Sequence, residues 1–249
     1  MPAGIRNILG VYARPVRFYE RFDLATPYGR PLVLLVVLLA LAGYAVVAAG
    51  LVEREVDLST EQALAFVEKA SIGEVSRDQL DERLHDTREA AVFWKVISSA
   101  GYVLAGPVEV VGRIFVGAAV AFIVVALSGR KPAYHGLVAI LTFAAYVEVL
   151  HQALIVPLMI ALHSTDVDTS LAALLRGRPM ASGWLYASLQ TVDPFAVWFC
   201  ILAAIGMSRS AQLTTRRAVL LCAALWLGGA MLHVGSKFIT GFSFGEGLT

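Results

Sequence analysis

Charge is scarce in this chain. Of its 249 residues, 16% are Asp, Glu, Lys or Arg and 58% are hydrophobic, against about a quarter and about half in soluble globular domains. The deficit is concentrated in long runs: "PLVLLVVLLALAGYAVVAAGLV" (31–52) has no charge over 22 residues. As a helix it covers a hydrocarbon core of about 30 Å, which excludes a soluble protein and identifies an integral membrane protein. Cysteine is scarce too. Cys200 and Cys222 both fall in apolar runs, so no disulfide framework is indicated. With 20 basic and 19 acidic residues the formal charge is +1, which leaves no bulk electrostatic case for nucleic acid. The G-x-x-x-x-G-K-[ST] loop and the H-E-x-x-H helix are missing, excluding the enzyme classes built on them. Gly241-Phe242-Ser243-Phe244-Gly245 has the letters of G-x-S-x-G, but it is neither preceded by a strand nor followed by a helix, so it does not read as a nucleophile elbow. Internal repeats and low-complexity segments are missing as well.

What is present is five apolar runs, at about 31–52, 108–128, 135–162, 193–208 and 217–236. The first is too long for a signal-peptide core and reads as a retained span. Pro157 marks an expected kink near the end of the third. Orientation follows from the basic residues beside the spans. Arg6, Arg14, Arg17, Arg21 and Arg30 precede the first; Arg130 and Lys131 follow the second; Arg209, Arg216 and Arg217 follow the fourth. All three basic segments fall on one side. The opposite side takes 53–107, with eleven acidic against six basic residues. The expected topology has a cytoplasmic N-terminus and an extracytoplasmic C-terminus, and the Arg- and Ala-rich composition points to a bacterial cytoplasmic (inner) membrane.

The expected architecture is therefore an all-α, five-helix membrane bundle at 31–249. A cytoplasmic basic segment (1–30) precedes it, and an external helical insert (53–107) joins spans one and two. In the basic segment Ile5, Ile8, Leu9 and Tyr12 recur at helical spacing between arginines. That suits a helix in the lipid interface, or a basic tail that fixes topology. In the insert, "STEQ" (59–62) and "SRDQ" (76–79) fit the capping box. The second opens a long helix with Leu80, Leu84 and Ala91 on one side, running toward Trp94 and Tyr102 at the outer interface. A break at Gly106-Pro107 is expected before the second span. The glycine-rich end, "GFSFGEG", reads as a flexible tail.

Against this background a few polar residues stand out. "YVEVLHQAL" (146–154) places Glu148, His151 and Gln152 on one stripe of the third span. Glu148 to His151 lie 13–16 residues from its start, about 20–24 Å along the axis and toward the outside. Ala144 and Ala145, one turn earlier, allow a close neighbouring helix. Glu109 and Arg113 are i,i+4 near the outer end of the second span, the favourable order for an ion pair. Asp193 before Pro194 has the form of an N-cap. His233 and Lys237 close the last span, where Lys237 can snorkel. Glu109, Arg113, His151, Asp193 and His233 thus converge in the outer half. Such groups pair within the bundle or line a watery cavity. Glu-x-x-His is half of the ligand pattern of di-metal four-helix proteins. The second half is missing, which leaves Glu148, His151 and His233 as weak ligand candidates and no cofactor expected.

Three stretches carry a resemblance to a known family: "ARPVRFYERF" (13–22), "SRDQLDERLHDTREAAVFWKVISSAGYVLAGPVEVV" (76–111) and "WLYASLQTVDPFAVWFCILAAIGMSR" (184–209). Together they resemble the Yip-domain family, the Ypt/Rab-interacting five-span membrane proteins, in its bacterial branch. There an amphipathic L-x-S-L-D-x-F-x-x-W run leads into the fourth span. Leu185, Ser188, Leu189, Asp193, Phe195 and Trp198 supply it here, with Gln190 and Thr191 additional. The resemblance implies a cytosolic N-terminus and a luminal or external C-terminus. It also implies a non-enzymatic adaptor or accessory role in a trafficking or export complex. The leading expectation is a scaffold or accessory subunit that contacts the bilayer and a membrane-protein partner or second copy. Ala224, Gly228 and Gly229 would permit close helix packing. A proton-linked permease using the polar cluster is the second expectation, and a metal-dependent membrane enzyme the third.

Overall fold

A computed structural model describes residues 10–70, 77–131, 133–175, 183–210 and 213–244. Its elements are helices α1 Pro15–Glu20, α2 Gly29–Ala48, α3 Leu51–Ala70, α4 Arg77–Leu127 and α5 Tyr134–Leu162. A 3-10 turn at Leu171–Leu175 follows, then α6 Gly183–Gln190, α7 Pro194–Arg209 and α8 Thr215–Phe244. The described chain is all-helical. Among the described residues three helices are long and apolar enough to cross a membrane: Gly29–Ala48, the Leu84–Leu127 part of α4, and Tyr134–Leu162. The protein is an all-α integral membrane protein. α7 is a shorter apolar helix of 16 residues, and α8 runs for 30.

The chain divides into two compact units. One comprises 1–36, 110–151 and 168–249; the other comprises 37–109 and 152–167. In the first, α5 is the central element, with Leu137 to Val147 buried without interruption. A helix apolar on every side has no solvent face and packs on all of its own. Its neighbours come very close at Gly206 of α7: a Cβ there would stand 2.5 Å from Ile140 Cγ2 and 2.8 Å from Tyr19 Cε1. Tyr19 itself is fully buried and donates its hydroxyl to the Ile140 carbonyl at 3.3 Å. Tyr146 donates to the Pro31 carbonyl at 2.8 Å.

The N-terminal segment is thereby more than either sequence reading asked. Val11 and Tyr19 are buried, Tyr12 meets Trp198 edge-on at 5.9 Å, and Phe18 and Phe22 both meet Phe143. Burial raises the phenol pKa of both Tyr12 and Tyr19, so both stay neutral. The arginines face outward while the aromatics anchor. Ile5, Ile8 and Leu9 lie outside the described residues.

In the second unit the first apolar run does not continue to residue 52. α2 stops at Ala48, and Gly50 (φ +72°) takes the left-handed backbone that glycine tolerates best. α3 then buries Leu51 and Val52 with Val46, Ile155 and Val156, and Val56 is buried one turn on. The expected helix start at 59–62 is corrected: Ser59 and Thr60 sit inside α3, and both hydroxyls donate back to the Val56 carbonyl. A mid-helix Ser or Thr can satisfy itself this way, which leaves a capping-box pattern without a helix end to cap. Ser76, the first residue of the other capping-box pattern, lies outside the described residues.

α3 and α4 are joined by polar contacts. Lys95 reaches Asp57 at 2.8 Å and Glu53 at 3.3 Å, while Glu55 accepts from Tyr102 at 3.2 Å and from Thr165 at 2.7 Å. Leu80, Leu84 and Ala91 are half-buried, as their spacing suggested. The break expected at Gly106-Pro107 is absent: α4 runs unbroken for 51 residues with a buried Pro107 inside it. A proline removes one helical hydrogen bond, a loss that packing in membrane helices commonly absorbs. α5 likewise continues past Pro157. The glycine-rich end read as a flexible tail is helical through Phe244; residues 245–249 lie outside the described ones.

Gly206→Val should cost about 1–3 kcal/mol through overpacking against Ile140 and Tyr19, read as a lower melting temperature in detergent. Gly228→Val, where an added Cβ meets nothing, is the control and should leave the melting temperature within about a degree.

Candidate functional site

The polar residues of the first unit meet where α5, the loop before the 3-10 turn and the start of α7 come together. Glu148 and His151 are one turn apart on α5, which fixes them on the same side. The Glu148 Oε1 to His151 Nδ1 distance is 3.2 Å. The other ring nitrogen, Nε2, is 3.0 Å from the Thr169 hydroxyl. That hydroxyl in turn donates to Asp193 Oδ2 at 2.5 Å. A single chain of contacts therefore runs from α5 to α7.

Donor counting constrains the protons. Thr169 has one hydrogen and gives it to Asp193, so His151 Nε2–H must donate to Thr169. Nδ1 and Glu148 Oε1 then share one proton, as imidazolium with carboxylate or as imidazole with carboxylic acid. Arg113 Nη1 lies 3.9 Å from Glu148 Oε2, with its guanidinium 6.0 Å from the centre of the Phe199 ring. The His151 ring stacks on Phe195, centroids 4.7 Å apart and planes 17° apart. Phe195 and Phe199, one turn apart on α7, thus each carry one cationic or ionisable partner. Glu148, His151 and Asp193 are all mostly buried, with side chains 24%, 18% and 15% exposed.

Asp193 also does local work. Its Oδ1 accepts from the Phe195 and Ala196 backbone N–H groups at 2.7 and 3.4 Å, and Pro194 takes the first helical position. One carboxylate therefore caps α7 with one oxygen and binds Thr169 with the other. The loop is further held by Tyr186 donating to Asp168, by Leu171 N–H to the Val192 carbonyl, and by Trp226 to the Thr191 carbonyl.

The remaining sequence candidates are placed as follows. Glu109 is exposed and belongs, with Gln152, to the second unit; Gln152 is half-buried. The side chains of His233 and Lys237 lie outside the described residues. Among the described residues no three metal-ligating side chains gather at ligand geometry. Thr169 is the member that sequence reasoning missed. It lies in the irregular run "TDVDTS", where neither periodicity nor motif singles out one hydroxyl. Cys200 and Cys222 are free thiols, and both line an apolar cleft of about 200 Å³ between α7 and α8.

The fold defines a helical membrane protein, and its first unit is tied by a partly buried polar network. The sequence model of the Yip1 domain matches residues 9–235, and the chain belongs to the Yip1 domain family. Neither a curated protein nor a solved structure matches it.

Asp193→Ala removes both the cap and the Thr169 contact and should destabilise by about 1–2 kcal/mol or more. Thr169→Val, which removes only the contact between loop and helix, should cost less. Thermal melts of the two variants and the wild type in one detergent check the order.

Proposed function

We propose that this protein is a non-enzymatic, five-span scaffold or accessory subunit of a membrane complex. α7 and α8 supply the fourth and fifth crossings. The N-terminus is cytoplasmic, the C-terminus extracytoplasmic, and the membrane a bacterial cytoplasmic one. The topology rests on the three basic segments, which fall on one side under this assignment. The role rests chiefly on one observation: the carboxylates of the buried cluster are engaged by the chain itself. Glu148 faces His151 and Arg113, and Asp193 faces Thr169 and two backbone N–H groups. Groups so engaged hold elements together; a transport site keeps donors or acceptors for its cargo. The partners are the bilayer and another membrane protein or a second copy, met through helix contacts. Gly228 and Gly229, exposed and open around their Cα atoms, leave room for such a helix.

One observation favours a second reading, a proton-linked permease. The Glu148–His151–Thr169–Asp193 chain is continuous, and such a chain can relay a proton if both ends reach water.

Purification in mild detergent tests the first reading. A partner recovered at fixed stoichiometry, or a stable homo-oligomer, is expected, and consistent recovery of a lone monomer overturns it. Proteoliposomes test the second. The structural role predicts no proton-dependent flux for wild type. It also predicts a lowered melting temperature for Glu148→Gln and His151→Ala. Flux in the wild type that either variant abolishes would move the conclusion to the permease.

A further inference from the structure

α4 is too long for its membrane. It runs for 51 residues, Arg77–Leu127, about 77 Å of helix. Arg130 and Lys131 follow directly and fix the cytoplasmic end near Leu127. A helix tilted even by the observed limit of about 40° threads only about 39 Å, or about 26 residues, through a 30 Å hydrocarbon core. The hydrocarbon therefore ends at about residue 102, and at typical tilts nearer 107.

The stretch beyond it, "AVFWKVISSAGYVL" (91–104), is not polar. Its two sides differ sharply. Ala91, Lys95, Ser98 and Tyr102 are half-buried on the side toward α3, where Lys95 and Tyr102 bind Glu53, Asp57 and Glu55. Opposite them, about 180° around the helix, lie Phe93, Ile97, Ala100 and Leu104. Their large members are 61%, 46% and 57% exposed, and Val92 and Val96 beside them 66% and 65%. An apolar stripe of this size outside the hydrocarbon marks an interaction surface.

We infer that this face of α4 pairs with the same face of a second copy of the chain, as a parallel two-helix seam just outside the bilayer. The inference rests on the topology and the self-association proposed above. Residues 93, 97, 100 and 104 follow the alternating four- and three-residue spacing of a coiled-coil seam. Two copies inserted the same way meet parallel and at one height, so each seam residue faces its own counterpart across a two-fold axis. Like charges usually oppose such a pairing of identical faces. Here the flanking positions are Trp94, Val96, Gly101 and Val103, none of them charged. Ala100 and Gly101 allow the helices to approach closely midway along the seam.

Single cysteines decide the matter in native membranes, in the full chain carrying Cys200→Ala and Cys222→Ala. Under mild oxidation, Ile97→Cys and Ala100→Cys are expected to give a disulfide-linked dimer. Ser98→Cys, on the α3 side, is expected to give less than a tenth as much. Equal yields at the three positions, no dimer at any, or cross-linking of the seam cysteines to a different protein each overturn the inference. A second measurement is independent of the cysteines: Ile97→Asp with Leu104→Asp should turn a dimeric mass into a monomeric one in detergent while the melting transition persists. An unchanged mass overturns it as well. If no dimer forms and another protein co-purifies at fixed stoichiometry, the seam fails while the accessory-subunit role stands.

Discussion

Inside a bilayer the backbone has no water to bond, so every N–H and C=O must find its partner within the chain. The rest of this structure depends on that constraint. It makes the apolar runs helical, and it allows α4 to continue through Pro107, where in water a break is the ordinary outcome. It also concentrates the difficulty at helix ends, where the first four N–H groups have no helical acceptor. Asp193 is the response at the start of α7. Its carboxylate caps two of those groups, and its second oxygen remains for Thr169.

From that residue the cluster extends naturally. A carboxylate and an imidazole cannot be buried singly without large cost. The chain brings Glu148, His151 and Asp193 in together, with Phe195 stacked on the imidazole, while the more exposed Arg113 reaches Glu148 beside Phe199. The same logic explains the N-terminal segment: its arginines stay outside while Tyr19 finds the Ile140 carbonyl. In both places a polar atom is admitted to the interior only with its acceptor or donor already fixed.

The second unit solves a different problem. α3 is amphipathic, with Leu51 and Val52 turned into an apolar cluster, Val56 buried, and its acidic residues outward. Those acids meet Lys95 and Tyr102, which gives α4 one defined polar edge. The opposite edge is left apolar, with Phe93, Ile97 and Leu104 exposed. The chain belongs to the Yip1 domain family over residues 9–235.

Much of this was legible in the residues. The membrane class and the all-helical fold follow from long uncharged runs, because helix length and hydrocarbon thickness are fixed quantities. The cap at Asp193-Pro194 is local chemistry and could be read directly. Glu148 and His151 sharing one side of a helix follows from its period. Other features depend on distant neighbours and left no trace in sequence. Ser59 and Thr60 have the form of a helix start, yet packing of Leu51 and Val56 carries the helix through them. Thr169 is one hydroxyl in an irregular loop, chosen only because folding brings it between His151 and Asp193. Which residues were polar was set by the sequence alone. Which of them touch was decided by the tertiary structure, since a contact between buried charges depends on elements that only packing brings together.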